Sequence, residues 1–128
     1  MAPPAPLDWP DRLLLALAAL AGFLGVVLSA AAAHLQASPS LATAAQFLLF
    51  HATALIGLVA LAASGRLHRG AVRASGYALV LGLALFSGDL ATRALAQMPL
   101  LPMAAPTGGV LLMLGWVLAG LAAALPRR

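Results

Sequence analysis

The chain has 128 residues, of which 63% are hydrophobic and 8% are charged, and its formal net charge is +4. Soluble chains carry about 25% charged residues, so this composition cannot supply the polar surface of a soluble domain. All seven basic residues are Arg and most lie near the ends of hydrophobic runs, which excludes the basic stripe of a nucleic-acid-binding surface. Cys is absent, which excludes disulfides, thiolate metal sites and a Cys nucleophile. The composition predicts one membrane-embedded domain.

Four hydrophobic runs follow one another along the chain. A membrane-spanning helix needs about 20 mostly apolar residues, and each run is long enough. We predict helices at about 12–33, 41–63, 74–96 and 103–125, which together form a single transmembrane domain over 12–125. Residues 1–11 are then a cytoplasmic N-terminal segment and residues 126–128 a cytoplasmic tail. The fold class is all-α, an integral membrane four-helix bundle.

Local signals mark where these helices begin and end. The segment Asp8-Trp9-Pro10-Asp11 places acids and a Pro at the start of the first helix, which suits the helix dipole. Ser38 and Pro39 are typical of an N-cap followed by the first helical residue. Gly65 can end the second helix in a left-handed conformation.

The arginines predict the orientation of the bundle. Six of the seven belong to the two ends of the chain and to the loop between the second and third helices: Arg12, Arg66, Arg69, Arg73, Arg127 and Arg128. The other two loops, 34–40 and 97–102, contain no charged residue. Cytoplasmic loops carry the excess of Lys and Arg, so both termini are predicted to be cytoplasmic. A cleaved signal peptide is disfavoured, because the first run exceeds the usual ~7–15 apolar residues and two Asp residues precede it.

Small residues form stripes on three of the predicted helices. Helix association in lipid relies on close backbone approach and on polar contacts, because lipid removes the hydrophobic drive. The glycines that we expect at helix-packing positions are Gly22, Gly25, Gly82, Gly108, Gly109 and Gly115. The stripes suit either a tight bundle or a homo-oligomer.

A group of polar residues falls inside the runs, in the half of the membrane away from the arginine-bearing loop. This candidate intramembrane polar cluster consists of Asp89, Arg93, His51, Gln46, Thr107 and His34. Asp89 and Arg93 are four residues apart with the acid first, the favoured order for an intrahelical ion pair. The pair is either a proton or cation site or a structural ion pair. His51 is either a proton relay or a ligand, or it donates a hydrogen bond to a backbone carbonyl or to Asp89.

The chain contains no Glu-x-x-His motif, no carboxylate cluster and no nucleophile–base spacing. His34 and His51 lie at different depths, which disfavours a haem held by two His residues. We therefore expect no metal, no cofactor and no enzymatic activity.

Four segments, in order and each on the expected helix, resemble the YgdD-like family of small four-helix bacterial membrane proteins, domain of unknown function 423. They are AAAHL at 31–35, TAAQF at 43–47 with FHA at 50–52, LFSGDL at 85–90, and PTGG at 106–109 with Gly115-Trp116. The resemblance implies an inner-membrane protein without an established activity. The family pattern often has Ser at the position of Asp89, so the resemblance implies a subgroup in which an Asp–Arg pair replaces a hydroxyl and an aromatic side chain.

Two functions are compatible with these features. The first is a non-enzymatic accessory or assembly component of a larger membrane complex, located in the bacterial inner membrane. Its partners would be the lipid bilayer and either a membrane protein complex or further copies of the chain. The alternative is a small proton- or cation-coupled transporter or channel that uses Asp89 and His51.

Overall fold

The computed structural model of the chain describes residues 6–35 and 38–127. Within these residues it is all-helical: α1 spans Trp9–His34, α2 Pro39–Ala63, α3 Arg69–Ala96 and α4 Ala104–Ala124. The shortest helix, α4, has 21 residues. It is therefore about 32 Å long at 1.5 Å per residue, which matches a hydrocarbon core of about 30 Å. All four helices are long and apolar enough to cross a membrane, which confirms the predicted fold class. Residues 1–5 of the predicted N-terminal segment and Arg128 of the predicted tail lie outside the described residues.

The two ends of α2 follow the local signals in the sequence. Ser38 is the N-cap of α2, where its Oγ accepts a hydrogen bond from the Leu41 amide at 3.3 Å, and Pro39 is the first helical residue. Gly65 adopts a left-handed conformation with φ of 72° just after α2, as predicted. The turn between α3 and α4 contains two further left-handed residues, Gln97 and Met103, which the sequence analysis did not identify.

The first and third helices begin earlier than predicted. α1 begins at Trp9 instead of residue 12, with Asp8 as its N-cap. α3 begins at Arg69 instead of residue 74, because His68 caps it: the His68 Nδ1 accepts a hydrogen bond from the Ala71 amide at 3.1 Å. The assignment of Arg69 and Arg73 to a loop was therefore wrong. Both lie on the first turns of α3, where carboxylates of α1 neutralise them.

The helices run up and down as two hairpins, α1–α2 and α3–α4, that join along α2 and α3. The third helix is central, since it packs against each of the other three. The start of α3 meets the start of α1 through Arg69 and Asp11, and it meets the end of α4 where the His68 amide donates to the Ala122 carbonyl at 3.1 Å. We call this the arginine-rich end, defined by Arg12, Arg66, Arg69, Arg73 and Arg127. The opposite end carries Asp89 and Arg93.

The core lies along α2 and α3. Its largest fully buried side chains include Leu14, Leu41, Leu55 and Leu79. Many large apolar side chains point outward instead, which suits a helix surface in contact with lipid.

Four of the six predicted packing glycines stand at close helix contacts. A Cβ added at these positions would collide with the neighbouring helix. At Gly108 it would lie 2.5 Å from the Phe86 nitrogen and 2.7 Å from the Gly82 oxygen, so the α3 and α4 backbones touch there. Gly25, Gly82 and Gly115 are similarly crowded, by Leu49, Gly108 and Leu79 respectively.

The remaining two predicted glycines have room for a side chain. The nearest atom would be 3.7 Å away at Gly22 and 3.9 Å away at Gly109. The sequence analysis missed Gly76, where Leu14 would lie 2.8 Å from a Cβ. Gly76 thus permits the close contact between α1 and α3.

Candidate functional site

Five polar side chains are buried among the described residues: Asp11, His51, Ser75, Ser87 and Asp89. Asp89 and His51 belong to the predicted cluster, whereas the other three do not. In lipid a buried polar group needs a partner inside the protein, because no water is available to supply one. The partners of these five residues therefore decide whether any of these polar groups is available to bind a ligand or transfer a proton.

Asp89 is fully buried near the end of α3, and both of its carboxylate oxygens have a partner. Arg93 donates through Nε to one oxygen at 2.8 Å, which confirms the predicted intrahelical pair. The Leu100 amide donates to the other oxygen, also at 2.8 Å. Leu100 lies in the turn between α3 and α4, so the carboxylate ties this turn to α3. The side chain of Arg93 is 53% exposed and reaches the surface of the bundle.

His51 is buried in α2 and joins α2 to α4. Its Nδ1 lies 2.7 Å from the Phe47 carbonyl, which can only accept, so Nδ1 carries the proton. Its Nε2 then accepts a hydrogen bond from the Trp116 indole at 3.1 Å. This assigns His51 as a neutral side chain with both ring nitrogens bonded. Its partners are a backbone carbonyl and Trp116, and not Asp89. Trp116 is therefore a hydrogen-bond donor to His51.

The other three members of the predicted cluster, Gln46, His34 and Thr107, are exposed. Gln46 lies in a shallow groove between α1 and α2, beside Ser29. His34 lies in the last turn of α1, and Thr107 lies in the first turn of α4. The structure therefore brings Asp89 and Arg93 together. No hydrogen bond between the described residues joins this pair to His51, Gln46, Thr107 or His34. The six residues of the predicted cluster therefore do not form one hydrogen-bonded group within the described part of the chain.

The largest polar assembly lies at the arginine-rich end, where the sequence analysis placed no buried group. Asp11 is 1% exposed. It accepts hydrogen bonds from Arg69 Nη2 at 2.8 Å and from Arg73 Nε at 2.9 Å. Asp8 accepts a hydrogen bond from Arg73 Nη2 at 2.7 Å and lies 3.2 Å from Arg69 Nη2. We call these four residues the Asp–Arg network; it fastens the start of α1 to the start of α3.

A signal for this network was present in the sequence. With four spans, Asp11, Arg69 and Arg73 all belong to the same end of the bundle, and an acid at the same end as two arginines can form an ion pair with them. The residues are 58 and 62 positions apart, however, so only the packing of α1 on α3 decides that they meet.

Two buried hydroxyls form further links between helices. Ser75 donates to the Gly115 carbonyl at 2.7 Å, which joins α3 to α4. Ser87 donates to the Ala44 carbonyl at 3.1 Å, which joins α3 to α2. Ser75 lies two residues from Arg73, so this link is in the half of the bundle opposite to the predicted cluster.

No group of three or more His, Asp or Glu side chains that could hold a metal ion occurs among residues 6–35 and 38–127. The groove that contains His51 has a volume of about 450 Å³, opens to the surface and is otherwise lined by apolar and aromatic residues, among them Phe47, Phe86 and Trp116. In the described part of the chain, the one buried side-chain N or O atom without a partner is Nε of Arg69. Apart from that atom, the buried polar side chains of the described residues are bonded within the chain.

The pattern of the family described as "Protein of unknown function (DUF423)" matches residues 28–109, from late α1 into α4. The chain belongs to the DUF423 family. The UPF0382 inner membrane proteins YgdD of Escherichia coli K12 and of Shigella flexneri are each 34% identical to it over 115 residues, which cover 84% of this chain and 86% of each relative. No solved structure matches the chain. This DUF423 protein is therefore a multi-pass protein of the bacterial inner membrane, from an uncharacterised family.

Proposed function

We propose that this DUF423 protein is a non-enzymatic accessory or assembly component of a larger membrane complex. The observation that supports this most directly is the use of its buried polar groups. Each links a different pair of elements: Asp11 joins α1 to α3, His51 joins α2 to α4, Ser75 joins α3 to α4, Ser87 joins α3 to α2, and Asp89 joins α3 to the following turn. Their role is to hold the bundle in one arrangement.

A catalytic or transport site needs a titratable group that can reach its substrate from a cavity. Here both oxygens of Asp89 and both ring nitrogens of His51 are already bonded within the chain. Recruiting either residue would first break contacts that fasten two elements together. This favours a structural and binding role over chemistry.

The lipid-facing surface offers a place for a partner. A groove of about 350 Å³ runs between α1 and α3 over Leu48 of α2. Its α3 wall includes the small residues Ala84, Gly88 and Ala91, which allow a neighbouring helix to approach closely. Its α1 wall is apolar, formed by Leu24 and Leu28.

The test combines deletion with native mass spectrometry of the tagged chain, extracted gently from its own membranes. We expect a stoichiometric membrane-protein partner, and we expect the abundance of that partner's complex to fall when the chain is deleted. Ala84→Phe, which fills the groove, should weaken the association. The matched control is Ala60→Phe, another exposed Ala to Phe change on a lipid-facing helix position outside the groove. An unchanged membrane proteome after deletion, with no co-purifying partner, would contradict the proposal.

A second candidate, a small proton- or cation-coupled transporter or channel, is favoured by one observation. Asp89 is a fully buried carboxylate within a membrane-spanning helix, and its partner Arg93 reaches the surface. Intramembrane acids of this kind often mark ion pathways. The test is proton and cation flux into proteoliposomes that contain the wild-type chain, Asp89→Asn or His51→Phe. Flux that is lost in Asp89→Asn, with the bundle still folded, would support transport and count against the accessory role.

We infer that both termini face the cytoplasm. The rule that sets orientation counts Lys and Arg and gives little weight to acids, so the ion pairs of Arg69 and Arg73 do not weaken it. The arginine-rich end carries five of the six arginines in the described residues, and Arg93 alone lies at the other end. A C-terminal fusion to green fluorescent protein should therefore be fluorescent, and a fusion to alkaline phosphatase should be inactive. The reverse pattern would contradict the inference.

A further inference from the structure

A shallow groove of about 340 Å³ lies along the first two turns of α1, at the arginine-rich end. It is lined by Trp9, Arg12, Leu13 and Ala16, which are spaced i, i+3, i+4 and i+7 and so share one face of the helix. The groove therefore has a polar mouth at the membrane interface and an apolar floor that extends toward the hydrocarbon core.

Arg12 differs from the other arginines near it. The two arginines at the start of α3 are neutralised by Asp8 and Asp11. The ion pairs formed by the described residues do not include Arg12, Arg66 or Arg127. Of these three, Arg12 lines the α1 groove. Its charge is thus available to an anion at a position where acyl chains lie alongside.

Trp9 supplies the second part of the arrangement. It is 72% exposed at the first residue of α1, where an amphipathic ring sits at the headgroup level of a bilayer. Leu13 and Ala16 follow one and two turns deeper, as a surface for an acyl chain. A cation at headgroup depth, beside an indole ring and above an apolar strip, is complementary to a phospholipid that carries a net negative charge.

We propose that this α1 groove is a binding site for one anionic phospholipid, whose phosphate is held by Arg12 and whose acyl chain lies on Leu13 and Ala16 below the Trp9 ring. The site lies outside the groove between α1 and α3 and is independent of the accessory role. The arginine-rich end of the protein attracts anionic lipids in general, and this site would hold one of them at a defined position.

The test is a lipid titration of the purified full chain in detergent, followed by native mass spectrometry. The probes are phosphatidylglycerol and phosphatidylcholine with identical acyl chains. The wild-type chain should bind the first phosphatidylglycerol more tightly than phosphatidylcholine. One Arg near an anionic surface contributes about 1 kcal/mol, so Arg12→Gln should lower the phosphatidylglycerol affinity about fivefold and leave the phosphatidylcholine affinity unchanged.

Two control variants separate a defined site from a diffuse charge effect. Arg66→Gln removes another unpaired arginine from the same end and should leave the first phosphatidylglycerol affinity unchanged. Arg12→Lys keeps the positive charge and should retain the preference for the anionic lipid. This variant also shows that a substitution at position 12 leaves the chain folded. Trp9→Leu should weaken both lipids similarly, since the ring contacts the lipid whatever its headgroup.

Three results would overturn the proposal. One is equal affinity of the wild-type chain for both lipids. Another is an equal loss in Arg66→Gln and Arg12→Gln, which would assign the binding to the overall charge of this end. The third is a second copy of the chain that occupies the groove, seen as a dimer that Arg12→Gln dissociates.

Discussion

The close contact between α3 and α4 at Gly108 predicts that a larger residue at this position lowers the stability of the bundle. Replacing Gly108 by Ala places a Cβ 2.5 Å from the Phe86 nitrogen and 2.7 Å from the Gly82 oxygen. Ordinary contact begins at 3.4 Å, so the two helices must separate by about 0.9 Å, the difference between 3.4 and 2.5. Both obstructing atoms belong to the backbone of a helix, so no side chain can rotate away to make room.

The expected change in the free energy of unfolding follows from two opposing effects. Overpacking a well-packed interface typically costs about 1–3 kcal/mol. Ala in place of Gly gains about 1 kcal/mol of helix propensity. The neighbouring Gly109→Ala has the same propensity gain, and its Cβ would be 3.9 Å from the nearest atom, a side-chain carbon of Phe86. Comparing these two variants cancels the propensity effect, so Gly108→Ala should be less stable than Gly109→Ala by about 1–3 kcal/mol.

The assay is reversible unfolding in mixed micelles, driven by increasing SDS and followed by tryptophan fluorescence. Gly109→Ala should be at least as stable as the wild type, and Gly108→Ala should unfold at a lower SDS fraction. Equal stability of the two variants would refute the reasoning, because it would mean that α3 and α4 are not in backbone contact at this position.

Three further predictions concern the buried polar groups and use the same assay. Asp11→Asn should destabilise the chain by about 2 kcal/mol, since it breaks a buried ion pair with arginines that are themselves partly exposed. Asp8→Asn should cost less than about 1 kcal/mol, because the Asp8 side chain is 54% exposed. Equal losses of stability in the two variants would contradict the burial of Asp11. A double-mutant cycle of His51→Phe and Trp116→Phe should give a coupling energy of about 1 kcal/mol, and a coupling near zero would mean that their hydrogen bond does not form. Asp89→Ala should lower stability more than Asp89→Asn, because the Asn oxygen can still accept the bond from the turn amide; the opposite order would show that this bond contributes little.

The sequence predicted the elements well, because each helix is marked by its own residues. Long apolar runs defined the spans, and Ser38 and Gly65 marked the ends of α2. The spacing of Asp89 and Arg93 was enough to predict an ion pair within one helix. Four short segments were also enough to identify the family, which the similarity to the YgdD proteins confirms. All these signals are local in the chain.

The contacts between helices could not be predicted in the same way. In a soluble bundle the polar stripe shows which face of a helix points outward. Here the lipid-facing surface is as apolar as the core, so the rotation of each helix about its axis leaves little trace in the sequence. This is why Gly22 and Gly76 could not be ranked correctly as packing residues, and why Trp116 was not recognised as the partner of His51.

The Asp–Arg network joins segments of the chain that are synthesised at different times. Asp11 leaves the ribosome before its partners Arg69 and Arg73, which follow 58 and 62 residues later. Until then the Asp11 carboxylate lacks these two partners. The third helix brings the missing charges on its first turns as it enters the bilayer. Closure of this ion pair thus joins the first hairpin to the third helix.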